Sequence, residues 1–220
     1  MISPPIADGL NEKQRQSVTL SEDINALILA GAGSGKTRVL THRIHYLVSE
    51  KNHHADDILA VTFTNKAANE MKERLSELLY QPIGRMWVGT FHSLAHRLIR
   101  THAIEASLSP TFQILDAQDQ YRIIKRLMKE NAIDESKLPI RKVQWFINQQ
   151  KDEGIQPQSI DAGYNFFVKQ SAKIFDLYEK HCQANDLVDF AGLLVKSYEL
   201  LKNNPNLLQQ YQNKFKHILV

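Results

Sequence analysis

The octet Ala30-Gly-Ala-Gly-Ser-Gly-Lys-Thr37 has the residue types and spacing needed to hold phosphates. Its glycines let backbone N–H groups turn inward around an anion, and a helix starting where it ends would add partial positive charge. Lys36 would reach the β and γ phosphates of a nucleoside triphosphate, and the Thr37 hydroxyl would be offered to Mg²⁺. The nucleotide cradle is therefore Ala30, Gly31, Ala32, Gly33, Ser34, Gly35, Lys36 and Thr37, with the catalytic charge work falling to Lys36 and Thr37. The usual P-loop pattern opens with Gly where this one has Ala30, but the glycines nearest the phosphates, Gly33 and Gly35, are kept. A P-loop defines a superfamily and not a function, since kinases, GTPases, transporters and motors share it.

Two further blocks narrow the chemistry. Thr62-Phe-Thr-Asn-Lys-Ala-Ala-Asn-Glu-Met71 and Gly89-Thr-Phe-His-Ser93 each set an aromatic beside small hydroxyl and amide side chains. That combination suits single-stranded nucleic acid without sequence preference: Phe63 and Phe91 for stacking on bases, Thr62, Thr64, Asn65 and Thr90 for phosphate oxygens, Lys66 for charge. Core packing is the competing reading for an aromatic at a strand end, and the equivalent placement of the two blocks argues against it.

The elements that must position these residues follow from hydrophobic patterning. Ala26–Ala30, Ile58–Phe63 and Met86–Thr90 read as buried parallel strands. Helical spacing separates them at Arg38–Val48 and Lys66–Leu79, giving β-α-β-α-β, a parallel sheet whose ligands gather at the carboxyl ends of its strands. After Thr90 helices dominate, with only Phe112–Leu115 briefly extended. Asp116 is an N-cap candidate with Asp119 reaching back to it, Pro139 suits the first turn of a helix over 140–150, and two stripes containing Phe167–Tyr178 and Phe190–Leu201 read as core. His217–Val220 reads as one more strand of the first sheet, which makes the helical stretch an insertion and suggests that the chain continues in a longer protein.

Composition removes several function classes. The 220 residues, 43% hydrophobic, suffice for one or two cores, and 27 basic against 24 acidic residues give +3, too little to announce a polyanion partner without a local site. One cysteine, Cys182, cannot make an internal disulfide, no secretory leader opens the chain, and the longest apolar run falls far short of the roughly 20 residues of a membrane span. A cytoplasmic location without membrane partners is expected. A histidine metal centre is not: His92 and His96 share a helical face without the Glu of a zincin motif, and His53-His54 lies in a polar loop. Guanine is disfavoured because Asn65-Lys66-Ala67-Ala68 lacks the aspartate of a GTPase motif. A small-molecule P-loop kinase or a non-enzymatic adaptor are the alternatives from other classes. The kinase leaves the Thr62 and Gly89 blocks unexplained, and intact Lys36 and Thr37 argue against a vestigial loop.

Five blocks in order, Leu10-Asn-Glu-Lys-Gln-Arg15, Ala30–Arg38, Thr62–Ala68, Gly89–His92 and Leu187-Val-Asp-Phe190, make the chain resemble the superfamily 1 DNA helicases of the UvrD, Rep and PcrA group across essentially its whole length. Gln149–Gly154 and Phe112–Asp116 resemble the UvrD branch. The resemblance implies an α/β fold: a P-loop NTPase (RecA-like) parallel sheet with helices over 1–90 and 216–220, plus an all-α helical insertion domain over 91–215. It implies ATP and Mg²⁺ as cofactors, 3′–5′ helicase activity in DNA repair or replication, and single-stranded DNA, single/double-strand junctions and DNA repair proteins as partners. By the same resemblance Gln14 reads the adenine edge, Arg38 packs on the adenine, and Phe63, Asn65, Thr90, Phe91 and His92 track the single strand; Arg141, Lys142 and Trp145 are candidates for duplex contact, against the favoured reading of a solvated basic helix. In that family the strand matching 217–220 is followed by Asp-Glu-x-x-Asp, whose acids hold Mg²⁺ and position water. These lie beyond the 220 residues, so this stretch alone is expected to bind nucleotide weakly, without hydrolysis or unwinding.

Overall fold

The computed structural model describes residues 9–31, 33–80 and 83–220. In chain order these form α1 (Glu12–Val18), α2 (Lys36–Ser49), β1 (Ile58–Thr62), α3 (Asn65–Leu79), β2 (Trp87–Thr90), α4 (Phe91–Thr101), β3 (Gln113–Leu115), α5 (Ala117–Glu130), α6 (Ile140–Asp152), α7 (Phe166–Ala184), β4 (Leu187–Asp189), α8 (Phe190–Asn203), α9 (Pro205–Lys214) and β5 (His217–Leu219). They divide into two compact units, residues 1–94 with 206–220 and residues 95–205.

The first unit is built on a parallel sheet ordered β2-β1-β5, in which Thr62 pairs with Thr90 and Ile58 with His217. Every residue of β2 is buried, and so is all of β1 except Leu59, as expected for parallel strands covered on both faces. Ile44 and Leu47 of α2, Met71 and Leu75 of α3, and Ile58, Ala60, Met86 and Val88 form one apolar cluster. Each large aliphatic side chain there contributes about 1.5–3 kcal/mol by leaving water. Trp87 packs edge-on against Tyr211 and Phe215, with ring centres 5.6 and 5.3 Å away.

The helix expected over Arg38–Val48 begins two residues earlier, and the one expected over Lys66–Leu79 begins at Asn65. The strand expected at Ala26–Ala30 is not formed. That stretch is irregular, with Leu27 and Leu29 more than four-fifths exposed, while β1 is flanked by β2 and β5. Apolar sequence alone does not make a strand without a neighbour to accept its hydrogen bonds.

The second unit is mostly helical but not all helix. β3 and β4 form a two-stranded parallel sheet, Gln113 to Leu187 through Leu115 to Asp189, because two short extended stretches must satisfy each other's backbone. Leu115, Ile124, Met128, Val143, Ile147, Ile174, Phe175 and Tyr178 pack in its main core. The α7 stripe is buried from Ser171 to Tyr178, with Phe167 half-buried against the same core, but Phe190 and Tyr198 of the second stripe stand more than half exposed. Asp116 caps α5 by accepting from the Gln118 and Asp119 amides at 2.8 Å, whereas the Asp119 carboxylate pairs with Arg122 at 2.9 Å rather than reaching back.

A buried polar knot explains the Leu187–Phe190 block. Asp189 caps α8 by accepting from the Gly192 amide at 2.6 Å, while its other oxygen accepts from Tyr178 at 2.7 Å, Lys151 at 2.9 Å and Gln120 at 3.2 Å. Burial alone would pull the Lys151 pKa down, but the Asp189 and Glu179 carboxylates reverse this and hold it above the ordinary lysine value. Burial also pushes the Cys182 thiol up to about 12, which leaves it unreactive. No helix among the described residues is long and apolar enough to cross a membrane.

Candidate functional site

The P-loop turns into α2 through two glycines with left-handed backbone, Gly33 at φ +75° and Gly35 at φ +86°. The backbone at Gly35 favours glycine, and a Cβ there would also stand 2.8 Å from the Gln14 Nε2, which would have to swing aside. The first-turn amides of α2 have no partners inside the helix and carry its partial positive charge. Lys36 folds back so that its Nζ donates to the carbonyls of Ala30 and Gly31, both at 2.8 Å, and the Ser34 hydroxyl donates to the Gly31 carbonyl at 2.7 Å. Thr37, the second residue of α2, is half-buried beside it. Ala32 lies outside the described residues.

The N-terminal block reaches this loop through one residue. Asn11 and Gln14 form a reciprocal cap on α1, at 2.9 and 3.0 Å, which fixes the Gln14 side chain and lets its Nε2 donate to the Ser34 carbonyl at 3.0 Å. Arg38, exposed in the first turn of α2, lies against Gly9, where a Cβ would fall 2.2 Å from a guanidinium nitrogen. Gln14, Ser34, Gly35 and Arg38 thus gather around one end of the P-loop. Arg43, one helical turn on, donates to the carbonyls of Val18, Leu20 and Ser21 and ties the end of α1 to α2.

The two strand-end blocks meet because of register. Thr62 and Thr90 are partners in the β1–β2 ladder, so the residues that follow them, Phe63 and Phe91, emerge side by side. Their ring centres are 5.7 Å apart with planes inclined at 55°. Phe63 is 84% exposed and Phe91 41%, so neither is core. Thr64 caps α3 by accepting from the Ala67 amide at 3.2 Å, which leaves Asn65 and Lys66 exposed in the first turn.

Thr62 and Thr90, expected to meet phosphate oxygens, each bond within their own loop. Both are buried: the Thr62 hydroxyl donates to the Thr64 carbonyl at 3.2 Å, and that of Thr90 accepts from the Ser93 amide at 3.2 Å. They shape the loops whose aromatics are exposed. Gly89 belongs to the same arrangement, since a Cβ there would sit 2.5 Å from the Ser93 Oγ and block the return of α4 onto the strand end. His92 is half-buried in the first turn of α4. Arg141, Lys142 and Trp145 are exposed on α6, with the Arg141 guanidinium 5.5 Å from the Tyr121 ring centre.

One grouping escaped the sequence reading. His53, expected to lie in a polar loop without metal-binding company, stands with Glu22 and His217, whose ligand atoms all lie within 4.8 Å of one another. Separations of 31 and 164 residues give no local signal for it.

The family described as UvrD/REP helicase N-terminal domain matches residues 10–220. DNA helicase II of Salmonella typhimurium is 49% identical over 215 residues, 98% of this chain and 30% of that protein, and DNA helicase II of Haemophilus influenzae is 49% identical over 220. The ATP-dependent DNA helicase PcrA of Bacillus subtilis is 38% identical over 221 residues, all of this chain and 30% of that protein. The chain thus spans about 30% of the length of these relatives, and its likeness to the DNA helicase II sequences exceeds that to PcrA. On a match that runs through both compact units and every motif above, the chain belongs to the UvrD/REP helicase N-terminal domain family.

Proposed function

We propose that this chain supplies the ATP-binding and single-strand-contacting front part of a 3′–5′ DNA helicase of UvrD type, acting in DNA repair or replication in the cytoplasm. In this reading residues 1–90 and 216–220 belong to the first motor domain and 91–215 to a helical insertion that approaches single/double-strand junctions. One observation carries it: two exposed phenylalanines 5.7 Å apart, at register-matched ends of two strands, in the unit that also holds the P-loop. A base stacked there is held without regard to its identity, as a translocating motor needs. Asn65 and Lys66, exposed next to Phe63, are suited to the neighbouring phosphates.

At the P-loop, Lys36 exchanges its two loop carbonyls for β- and γ-phosphate oxygens, Gln14 and Arg38 flank the adenine, and the α2 amides meet the phosphates. An oxygen-only hydroxyl at Thr37 fits Mg²⁺, which when bound would neutralise charge on the phosphates. The carboxylates that complete hydrolysis in this family do not fall within these 220 residues, so the chain by itself binds nucleotide and does not turn it over. Repair proteins would be partners of the longer protein.

The test is binding of a fluorescent single-stranded oligonucleotide at two salt concentrations, with and without a non-hydrolysable ATP analogue, for the parent chain and Phe63→Ala. Salt-sensitive binding weakened by about 1–3 kcal/mol in the variant supports the proposal. Unchanged binding in Phe63→Ala, or phosphoryl transfer to a free nucleoside, overturns it.

A further inference from the structure

Three segments of the first unit, none of them part of the P-loop or the aromatic pair, bring ligand-type side chains to one point. Glu22 precedes the stretch that leads to the P-loop, His53 lies between α2 and β1, and His217 opens β5. The backbone fixes two of them: the His53 amide donates to the Leu47 carbonyl at 3.0 Å, and His217 is held in register with Ile58 just after the Lys216 amide donates to Asp57 at 2.9 Å.

The His53 Nε2 stands 2.6 Å from the Glu22 Oε2 and 3.1 Å from the His217 Nε2, with the two imidazoles edge to face at 83°. Two ordinary two-centre hydrogen bonds cannot meet at the His53 Nε2. An imidazole nitrogen carries at most one hydrogen, and an ionised carboxylate only accepts. If the His53 Nε2 donates to Glu22, it has no lone pair for a donor on His217; if it accepts from His217, it faces the carboxylate with no hydrogen between them. Three electron-pair donors therefore converge on one small volume, and a shared cation relieves the conflict. The other Glu22 oxygen is held by Lys51 at 3.4 Å, which leaves Oε2 for the shared point.

We propose that Glu22, His53 and His217 form a binding site for a late divalent transition-metal ion of the zinc class. Two imidazoles and one carboxylate are a tetrahedral donor set with a fourth position for water, and imidazole nitrogen selects such ions over Mg²⁺ or Ca²⁺. Bonds of about 2.0–2.1 Å put tetrahedral ligand atoms about 3.3 Å apart. The 2.6 Å pair needs to open by about 0.7 Å and the 3.1 Å pair by about 0.2 Å to reach that spacing, and the third pair lies within 4.8 Å, adjustments that side-chain rotation supplies. The bound ion would pin the approach to the P-loop, the entry to β1 and the first residue of β5 together. The site uses none of the P-loop residues, Thr37 included, and does not depend on the helicase reading.

Isothermal titration of the EDTA-stripped 220-residue chain with zinc chloride tests this. One saturable site is expected, weakened tenfold or more in His53→Ala and in His217→Ala, and unchanged in His54→Ala, whose exposed side chain neighbours the site. Cobalt chloride added to the unsubstituted chain gives a reading independent of how the variants fold, and the intense visible absorption of a tetrahedral ion is expected. Absence of saturable zinc binding, equal affinity in the His53 and His217 variants, or the weak spectrum of hydrated cobalt overturns the proposal.

Discussion

Gln14 donates its side-chain amide to the backbone carbonyl of Ser34 at 3.0 Å, across 20 residues, and so couples the first helix to the phosphate-binding loop. The same side chain accepts from the Asn11 amide, so one residue both caps α1 and braces the P-loop. Gln14→Ala is expected to lower ATP-analogue affinity by about 0.5–1.5 kcal/mol, the scale of a lost hydrogen bond, and to narrow the preference for adenine over guanine nucleotides. Titration with fluorescent ATP and GTP analogues reads both. Lys36→Ala in the same assay should remove nucleotide binding while leaving the fold intact, because Lys36 is exposed and, among the described residues, its amine bonds to carbonyls of its own loop.

Gly35→Ala should weaken nucleotide binding without touching any ligand atom. At φ +86° an added Cβ costs about 1–2 kcal/mol, and it would also meet the Gln14 amide at 2.8 Å. A Gly35→Ala, Gln14→Ala double substitution should recover the part due to the clash and leave the part due to the backbone, measurable as non-additivity of the two affinity losses.

Phe91→Ala is expected to cost about 1–3 kcal/mol in single-strand affinity, and the Phe63→Ala, Phe91→Ala pair less than twice that, since the rings share one stacking position. Thermal unfolding should change little for Phe63→Ala, whose ring is 84% exposed. A large stability loss would mark the ring as structural.

Asp189→Asn should destabilise the protein by about 1.5–3 kcal/mol, because buried Lys151 and Tyr178 lose a charged acceptor while Lys151 keeps Glu179 at 2.7 Å. Urea denaturation followed by circular dichroism gives the value. Single-strand affinity of the folded fraction is expected to stay constant, since neither the P-loop nor the aromatic pair involves this knot.

Acid should unfold the protein more readily than charge counting suggests. His45 is fully buried, neither ring nitrogen has a partner among the described residues, and burial above all, then His42, lowers its pKa. His42, His96 and His181 are lowered as well, with burial the largest cause in each. The unfolded chain takes up these protons near pH 6.5 and the folded chain only at lower pH, so stability present above about pH 6.5 is lost on acidification. Thermal midpoints at about pH 7.5 and about pH 5.5 should show the drop. His45→Leu should shallow it.

The sequence made legible whatever rested on local pattern. The P-loop glycines, the cap at Asp116, and the strands at 58–62 and 87–90 each have a signal within a few residues. What depended on distant partners was not legible. Ala26–Ala30 has a strand's composition, but its state depends on which neighbours flank it in the sheet. Thr62 and Thr90 have ligand-type side chains, and their burial and their bonds to a carbonyl or amide two or three residues away follow from the tertiary fold, not from residue type. The Glu22–His53–His217 group was invisible because nothing in the primary order links a loop near residue 20 with the start of β5.

The parallel pairing of Thr62 with Thr90 also insulates the aromatic pair from its own crossover. The distance between Phe63 and Phe91 is set by the strand ladder and not by the path of the chain through residues 65–86. Insertions and deletions in that crossover can therefore accumulate without moving either ring. A single residue inserted inside β1 or β2 would slip the ladder, turn one ring to the opposite face and dissolve the pair. Length variation among relatives should accordingly collect after Leu79 and before Trp87, and be absent from the strands themselves.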